Sequence, residues 1–466
     1  MNHQQDIKGL RNVLVVGLGY RTGLAASNFL ASRGVAVTVS DSKSASGLAD
    51  VIARLDPSVR VIAGEQKPEI LDGGFDLVIL SPGVPKSIPL VAEAAKRAVP
   101  VVSEIEFASW FVKGDTVGIT GTDGKSTTTA LIDHVFSALG FDSRMGGNIG
   151  IPLISIADKT GPESITVIEL SSFQLETITR YRPGAAVVLN VTPDHLDRYD
   201  GMDDYTAAKF RITMNQRPED FLVYNADDPV VSRESAGSAA AKKPFSLTDE
   251  AAGAYCRGGF IYLNDGKARL PIIDTSKMKI MGLHNVQNAM ACLLVVDSLI
   301  KRRGLSPDYA RIAAAVYSFP GLPHRMERIG TLAGRTFIND SKATTVGAVD
   351  MAVRSLQGGA VLILGGRTKG DDYSRLRKIV EGKVRGVVLI GESAESFSKI
   401  FEGFNYELAD SLDEAAASAM KMSREGDAIV LSPACASFDW FRNYEERGDC
   451  FRKSYEKLLK GEIAWT

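Results

Sequence analysis

The sequence predicts an α/β protein of three domains, each built on a mainly parallel, Rossmann-like sheet. At 466 residues the chain exceeds what one hydrophobic core usually serves, and at roughly 100 to 200 residues per domain about three domains are expected. Short apolar runs alternate with amphipathic segments in three successive blocks, which is the pattern of parallel strands joined by helices. The composition, 45% hydrophobic and 24% charged, is that of an ordinary globular protein.

The first block, residues 1–104, predicts a small doubly wound sheet. Its apolar runs are NVLVVGLG, VAVTVSD, FDLVILSPG and VPVVSE, and amphipathic stretches such as TGLAASNFLASRG lie between them. Runs of this length and composition predict buried parallel strands with helices on the sheet faces. The boundary with the second block is expected near Glu104.

A glycine turn follows the first of these runs. GLGYRTG places glycines at 17, 19 and 23 between a strand and a helix, and Asp41 ends the next strand. This is the context of a dinucleotide site, but the spacing is one residue longer than the G-x-G-x-x-G fingerprint. The turn either closes a strand–helix corner without a ligand or holds a nucleotide or nucleotide-sugar diphosphate at the helix N-terminus. Ser81, at the end of another predicted strand, is expected on the same edge.

The second block, residues 105–320, opens on VGITGTDGKSTTTALID, where an apolar run ends in a glycine-rich turn and becomes helical. The strict phosphate-loop pattern requires a glycine where Ile119 stands, so the predicted loop is short. Backbone N–H groups from Gly121 to Lys125 can surround phosphate oxygens, and the Lys125 side chain adds a positive charge. Ser126 or Thr127 can reach the metal that accompanies the phosphates. Further apolar runs, ITVIELSSF, AAVVLNVTPDH and DFLVYNADD, predict parallel strands.

Three further residues of the second block are candidates for metal chemistry. Glu169 ends the run ITVIEL, His195 lies in TPDHLDRYD, and Lys209 lies on a predicted helix in YTAAKFRI. Each has an ordinary alternative: a cap for the turn at Ser171, a hydrogen-bonding loop residue and a solvent-facing lysine. Beside a phosphate loop, they form a set of oxygen and nitrogen donors suited to magnesium.

The third block, residues 321–466, follows SFPGLPHR and repeats the alternating pattern with RTFINDSKA, GAVLILGGR, VRGVVLIGE and DAIVLSPA. The block therefore predicts a third sheet of mainly parallel strands.

Charge and cysteine content exclude several classes of function. A net charge of -2 gives no bulk attraction for nucleic acid or anionic membranes. Four widely spaced cysteines indicate neither a disulfide framework nor a zinc site, and no stretch reaches the ~18 apolar residues of a membrane span. A cytoplasmic monomer that acts on small molecules is expected.

The motifs together resemble the Mur ligases in all three blocks. They are GTDGKST, GGNIG, ELSSFQLE, NVTPDHLDRY, AAKFRI, LHNVQNA, GLPHR, NDSKAT and SPACASFDWF. The resemblance implies an N-terminal UDP-binding domain, a central ATPase domain and a C-terminal Rossmann-like domain that binds an amino acid. ELSSFQLE and SPACASFD are its specific parts, and they point to members that add D-glutamate to UDP-N-acetylmuramoyl-L-alanine in cytoplasmic peptidoglycan precursor synthesis. ATP would first phosphorylate the alanyl carboxylate, and the D-glutamate amine would attack the resulting acyl phosphate.

The resemblance assigns residues to each ligand. The expected ATP-binding residues are Gly121, Thr122, Asp123, Gly124, Lys125, Ser126, Thr127, Asn285, Asn288, Arg325 and Asp340. The expected magnesium ligands, for two ions, are Ser126, Glu169, His195 and a carbamylated Lys209. Lys125, Lys209, His195 and Glu169 would be the catalytic residues. The UDP-sugar would contact Thr22, Asp41, Ser81 and Asn148.

The resemblance also implies that D-glutamate binds Thr344, Lys369, Ser437 and Tyr444. These positions fall at the ends of predicted strands or in the loops after them, so they could converge on one edge of the sheet. The two carboxylates of D-glutamate enter a partly dry cleft, where a charge or several donors must offset desolvation. Lys369 and the three hydroxyl groups could supply these donors. The alternative is that Ser437 only caps a turn and Tyr444 packs on the surface.

The sequence departs from the family pattern at a few positions. Asp123 stands where asparagine is usual, which places an acid near the phosphates, and the first glycine turn is one residue long. Thr345 and Thr368 replace residues that are usually Asn and Asp. No expected catalytic group is lost.

Three rival functions remain open. An oxidoreductase would use GLGYRTG for a nicotinamide but leaves the phosphate loop unexplained, and a regulatory ATPase would hydrolyse ATP without an acceptor. A sister ligase is the strongest rival, either a folylpolyglutamate synthase or the muramyl ligase that adds diaminopimelate or lysine. The motif DNPR, expected in the latter, is absent from the sequence.

Overall fold

The computed structural model describes residues 9–194, 198–264, 266, 268–280, 282–356 and 358–465. They form three separate sheets in chain order. This arrangement confirms the predicted α/β class with mainly parallel sheets. Short 3-10 helices lie at Ser46–Leu48, Pro68–Gly73, Arg211–Thr213 and Thr275–Lys277.

The first sheet is parallel throughout and has the order β3-β2-β1-β4-β5. Its strands are β1 (Asn12–Val16), β2 (Ala36–Asp41), β3 (Arg60–Ala63), β4 (Leu77–Leu80) and β5 (Val101–Ser103). Its helices are α1 (Thr22–Ala31), α2 (Ala49–Ile52), α3 (Pro89–Lys96) and α4 (Glu104–Ser109). Strand order reverses between β1 and β4, and ligands bind at such a switch point in open α/β sheets. The glycine turn lies there, at the end of β1.

The second sheet has nine strands in the order β14-β13-β12-β11-β10-β9-β6-β8-β7. They are β6 (Asp115–Thr120), β7 (Ser143–Gly147), β8 (Ile165–Glu169), β9 (Ala185–Val188), β10 (Phe221–Asn225), β11 (Ala241–Ser246), β12 (Ala254–Arg257), β13 (Phe260–Asn264) and β14 (Arg269–Asp274). Strands β12 to β14 pair antiparallel, and the others pair parallel. The helices are α5 (Lys125–Ala138), α6 (Ile154–Ala157), α7 (Ser172–Leu175), α8 (Met202–Phe210), α9 (Pro229–Ser235), α10 (Leu283–Arg302) and α11 (Tyr309–Ser318).

The third sheet has the order β15-β16-β20-β17-β18-β19 and is parallel except for the β15–β16 pair. Its strands are β15 (Glu327–Leu332), β16 (Arg335–Asn339), β17 (Ala360–Gly365), β18 (Val384–Ile390), β19 (Tyr406–Ala409) and β20 (Ala428–Leu431). Its helices are α12 (Val346–Ser355), α13 (Arg375–Val380), α14 (Ala394–Ile400), α15 (Leu412–Met422) and α16 (Tyr444–Lys460).

The chain divides into two compact units. One contains residues 1–278 and 284–319, and the other contains residues 279–283 and 320–466. The first two sheets thus share a unit. Within it, the fully buried carboxylate of Glu106 on α4 accepts hydrogen bonds from the backbone N–H groups of Thr179, Arg180 and Tyr181, at 2.9 to 3.1 Å. A satisfied buried carboxylate of this kind holds α4 against the second sheet's layer.

Helix α10 is the one described helix long and apolar enough to cross a membrane by length and composition. However, 83% of its most apolar window is buried inside the structure. A buried apolar helix of this length is what the core of a large domain requires.

Candidate active site

The phosphate loop lies between β6 and α5, as predicted from the sequence. Gly124 precedes the first residue of α5 with a positive φ of 81°. A Cβ there would lie 2.8 Å from Oδ1 of Asn288, so the position requires glycine for both its backbone angle and its space. The N-terminus of α5 presents backbone N–H groups and a positive dipole end to an anion.

Three asparagines support this loop. The side chain of Asn190, after β9, accepts the N–H groups of Thr122 and Asp123 at 3.0 and 2.8 Å. Asn288 donates to Asn285 at 3.0 Å, and both are buried. The predicted ATP residues of α10 therefore pack beside the phosphate loop. Asn190 was not predicted from the sequence, although it is the first residue of NVTPDH and stands close to the end of β9.

Two lysines meet at one carbonyl oxygen of the loop. Nζ of Lys125 donates to the oxygen of Gly121 at 2.9 Å, and Nζ of Lys209 donates to the same oxygen at 2.7 Å. Lys209 is only 1% exposed, so the solvent-facing alternative for this residue is wrong. Burial, reinforced by the nearby charge of Lys125, lowers the pKa of Lys209 to about 7.

Glu169 ends β8 and is buried beside the loop Gly147–Ile151. Its Oε1 accepts a hydrogen bond of 2.8 Å from the side chain of Asn148, whereas its Oε2 is buried without a partner among the described residues. Ser171 and Gln174 form the capping box of α7 by themselves, so the turn does not use the Glu169 carboxylate. A buried, half-satisfied carboxylate fits a magnesium ligand, because a cation would supply the missing partner.

Of the other predicted metal ligands, Ser126 lies among the described residues and His195 does not. Ser126 lies in the first turn of α5 and is buried, whereas His195 lies outside the described residues. Within the described ranges, no three His, Cys, Asp or Glu side chains cluster closely enough to hold a metal together. Magnesium bound with a nucleotide takes ligands from phosphates and water and needs only one or two protein carboxylates, so Glu169 and Ser126 are compatible with it.

The first glycine turn is held from two sides. Asp41 accepts the backbone N–H groups of Leu18 at 2.6 Å and Lys43 at 2.9 Å. Ser81 donates to the carbonyl oxygen of Gly17 at 2.6 Å, and Thr22 is the first residue of α1. Each predicted residue therefore adjoins the turn, and Asp41 and Ser81 hydrogen-bond to its backbone.

The predicted D-glutamate residues follow the carboxyl ends of strands in the third sheet. Nζ of Lys369, after β17, donates to the Thr344 hydroxyl, after β16, at 3.0 Å. Ser437 is buried after β20, and its carbonyl oxygen accepts the N–H of Phe441 at 2.9 Å. Tyr444 begins α16, and its carbonyl oxygen accepts the Ser341 hydroxyl at 2.8 Å.

Arg325 and Asp340 lie in the same unit as these residues. Asp340 accepts hydrogen bonds from the N–H of Met326 at 3.0 Å and from the Ser432 hydroxyl at 2.9 Å. Burial nevertheless raises the pKa of Asp340 to about 7, and the charge of Arg325 opposes this rise. Nε of Arg325 is buried and has no partner among the described residues.

Two arginines near the sites were also missed. Arg447 on α16 is 1% exposed and donates to the carbonyl oxygens of Ser341 and Cys435 at 2.9 and 3.1 Å. Arg198 forms an ion pair of 3.2 Å with Glu176. In sequence both lie in charged stretches, NYEERGDC and DHLDRYDG, where an arginine is ordinarily solvent-facing.

These features define a class: an α/β enzyme with a phosphate-binding loop, a buried carboxylate suited to magnesium and a second polar site. Family models agree with it. The MurD-like N-terminal domain of Mur ligases matches residues 11–103, the Mur ligase middle domain matches residues 119–296, and the Mur ligase glutamate ligase domain matches residues 324–435. The chain belongs to the Mur ligase family, whose members are ATP-dependent ligases of peptidoglycan precursor synthesis.

Relatives of similar length are UDP-N-acetylmuramoylalanine–D-glutamate ligases. The one from Citrifermentans bemidjiense is 41% identical over 455 residues, covering 97% of this chain and 99% of its own. That of Geotalea daltonii is 42% identical over 461 residues, covering 98% and 99%.

Solved structures share the fold at lower identity. The MurF ligase of Thermotoga maritima in complex with ADP has a TM-score of 0.58 and 15% identity, covering 98% of this chain and 97% of its own. The UDP-N-acetylmuramate–alanine ligase MurC of Thermotoga maritima has a TM-score of 0.57 and 19% identity, covering 96% and 100%. At these identities the likeness concerns the fold.

Proposed function

We propose that the chain adds D-glutamate to UDP-N-acetylmuramoyl-L-alanine at the expense of ATP. The observation that carries this proposal is the meeting of Lys125 and Lys209 at the phosphate loop of a chain whose relatives are D-glutamate ligases. The proposed organisation is a UDP-binding domain at residues 1–104, an ATP-binding domain at residues 105–320 and an amino-acid-binding domain at residues 321–466.

The chemistry explains why such a site needs positive charge more than acid–base catalysis. A carboxylate is a poor acyl donor because oxide is a poor leaving group, so its oxygen first attacks the γ-phosphorus of ATP and ADP departs. The amine of D-glutamate then attacks the carbonyl carbon, and inorganic phosphate leaves. The first step brings two anions together, and Lys125 with the α5 N-terminus is suited to neutralise them.

Magnesium fits this site through Glu169 and Ser126, with His195 as a further proposed ligand. Bound there, it would supply Lewis-acid polarisation of the transferred phosphoryl group. The second carboxylate oxygen of Glu169 is available for it, since Asn148 occupies only the first. Lys209 as an ammonium would repel the ion, so we propose that it is carbamylated, which reverses its charge.

The amino acid and nucleotide-sugar sites are assigned on residue chemistry. Lys369 supplies a cation for a D-glutamate carboxylate, and Thr344, Ser437 and Tyr444 supply hydroxyl donors. Thr22, Asp41 and Ser81 border the turn proposed for UDP, and Asn148 is proposed for the sugar. A cytoplasmic monomer acting on these small molecules remains our expectation.

A coupled phosphate-release assay tests the function. Release should require ATP, UDP-N-acetylmuramoyl-L-alanine and D-glutamate together. Release without the acceptor pair would indicate a regulatory ATPase. Faster turnover with L-glutamate, diaminopimelate or L-lysine would assign the chain to a sister ligase.

A further inference from the structure

Arg21, in the first glycine turn, reaches a loop of the second sheet. Arg21 immediately precedes α1, and its guanidinium extends from the first-sheet layer to the loop after β7. Nη2 donates to the carbonyl oxygen of Gly150 at 2.6 Å, and Nη1 donates to that of Asn148 at 3.3 Å. Two nitrogens of one planar fork therefore hold two carbonyl groups of one short loop.

The loop that Arg21 holds is built to place Asn148 against Glu169. The N–H of Gly147 donates to the carbonyl oxygen of Ile151 at 2.9 Å, which closes the loop, and the N–H of Asn148 donates to the carbonyl oxygen of Glu169 at 2.9 Å. A Cβ on Gly147 would lie 2.4 Å from that same Glu169 oxygen. Backbone contact this close fixes where the Asn148 side chain points.

Asn148 in turn orients the Glu169 carboxylate. Its side-chain amide donates to Oε1 at 2.8 Å, and Oε2 is left without a partner among the described residues. Three residues after the loop, the N–H of Ile154, the first residue of α6, donates to buried Glu104 at 2.8 Å. The Arg21 charge acts on that buried carboxylate as well, opposing the rise in its pKa that burial causes. Arg21 thus bonds directly to the Asn148 loop and acts through its charge on Glu104.

We propose that Arg21 is a positioning residue for the ligase reaction, which holds the Asn148 loop so that Glu169 presents its second oxygen to magnesium. This inference rests on the proposed function and goes beyond it. The series of contacts runs from Arg21, in the glycine turn proposed for UDP, through the Asn148 loop to the Glu169 carboxylate. We therefore expect a residue packed with the first sheet to control the affinity for magnesium of the site beside the second sheet.

The test compares three variants. Arg21→Ala removes the fork, and Arg21→Lys keeps the charge but cannot hold both carbonyl groups. Arg33→Ala is the matched control. Arg33 lies just beyond the other end of α1, and its guanidinium forms an ion pair of 2.9 Å with Asp158, so it also links the first two layers without touching the Asn148 loop.

Two measurements separate the possible roles. Binding of Mn²⁺, followed by electron paramagnetic resonance in the presence of a non-hydrolysable ATP analogue, reports metal affinity without turnover. Steady-state kinetics report kcat and the KM of each substrate. Loss of an outer-shell partner typically weakens metal binding or activity by roughly 10- to 100-fold. Both Arg21 variants should therefore bind Mn²⁺ at least about tenfold more weakly and lose kcat in proportion, with the KM of D-glutamate unchanged.

Arg33→Ala should behave as wild type in both measurements. Equal effects of Arg33→Ala and Arg21→Ala would overturn the proposal in favour of general docking of the two layers. Rescue by Arg21→Lys, with only the KM of the UDP-sugar changed in Arg21→Ala, would also overturn it and make Arg21 a phosphate contact. Turnover by the wild-type enzyme checks the proposed function separately, because the absence of turnover would refute that function. Normal Mn²⁺ affinity of Arg21→Ala would refute only the role of Arg21.

Discussion

Carbamylation of Lys209 should depend on pH in a way set by its burial. An unperturbed lysine has a pKa of ~10.4, so roughly 0.4% of it is neutral at pH 8. Burial lowers the pKa of Lys209 to about 7, which makes about 90% of it neutral at the same pH. Since only the neutral amine attacks carbon dioxide, the reactive fraction rises by about 200-fold.

The sign of the pH dependence follows from this shift. At a fixed concentration of dissolved carbon dioxide, the neutral amine forms an N–C bond and releases a proton to solvent. Carbamate should therefore increase between pH 6 and pH 8, where the neutral fraction of Lys209 rises from about 10% to about 90%, whereas a lysine of ordinary pKa stays almost wholly cationic over this range. ¹³C NMR of the protein equilibrated with ¹³C-bicarbonate measures it directly, and activity in buffer freed of carbon dioxide should fall and return when bicarbonate is added.

Two substitutions distinguish this role from that of an ordinary cation. Lys209→Ala should lose nearly all turnover and recover part of it with short-chain carboxylic acids, which replace the carbamate oxygens. Lys125→Ala is the matched control, because its Nζ donates to the same carbonyl oxygen of Gly121 but serves as a cation. Acids should not rescue it. Absence of a carbamate signal in wild type, or full activity of Lys209→Ala, would refute the reasoning.

Three further predictions concern other parts of the chain. UDP should compete with the UDP-sugar substrate and protect the chain from heat, whereas NAD should not; protection by NAD alone would contradict a UDP site beside Asp41. Lys369→Ala and Ser437→Ala should each raise the KM of D-glutamate at least about tenfold, because each removes one charge-assisted hydrogen bond. The KM values of ATP and the UDP-sugar should stay near wild type in the same kinetic assay. Glu104→Gln should stabilise the chain at pH 8 but not at pH 5, as judged by denaturant unfolding.

The sequence predicts best where local pattern and chemistry coincide. The phosphate loop was located from one strand, one glycine turn and one lysine, and the structure places it between β6 and α5. The predicted apolar runs form strands inside the sheets, except for VPVVSE, which forms the edge strand β5. Conversely, β3 and β19 were not predicted, because RVIA and YELA are short strands at sheet edges with little apolar contrast.

Long-range partners were beyond prediction from one sequence. Asn190 and Arg21 are polar residues in loops, and nothing in their neighbourhood shows which carbonyl or N–H group 60 or more residues away will meet them. Their roles depend on how separate strand ends come together. For the same reason, the sequence placed Glu169 at a strand end but could not show that one carboxylate oxygen would be satisfied and the other left bare.

The pH dependence predicted for Glu104 follows from its surroundings at the first residue of α4. Its side chain is 1% exposed, one oxygen accepts the N–H of Ile154, and the other has no partner among the described residues. Burial raises the pKa of Glu104 to about 7 against the hydrogen bond and the Arg21 charge, compared with ~4.3 in an unfolded chain.

Between these two pKa values the folded state binds more protons than the unfolded state, so stability falls as pH rises from about 4 to 7 and is then constant. The full effect is roughly 4 kcal/mol above pH 7 and is absent below pH 4. Glutamine carries no charge at any pH and can still accept the Ile154 N–H, but its amide leaves buried donors that cost about 1 to 3 kcal/mol. Relative to wild type, Glu104→Gln should therefore gain roughly 2 to 3 kcal/mol between pH 5 and pH 8. Trp110 directly follows α4, and its indole N–H donates to Glu106 of that helix at 3.0 Å. Its fluorescence reports unfolding of this region once Trp440 and Trp465 are replaced by phenylalanine. A difference in stability between Glu104→Gln and wild type that does not change with pH would show that Glu104 is not the group that titrates.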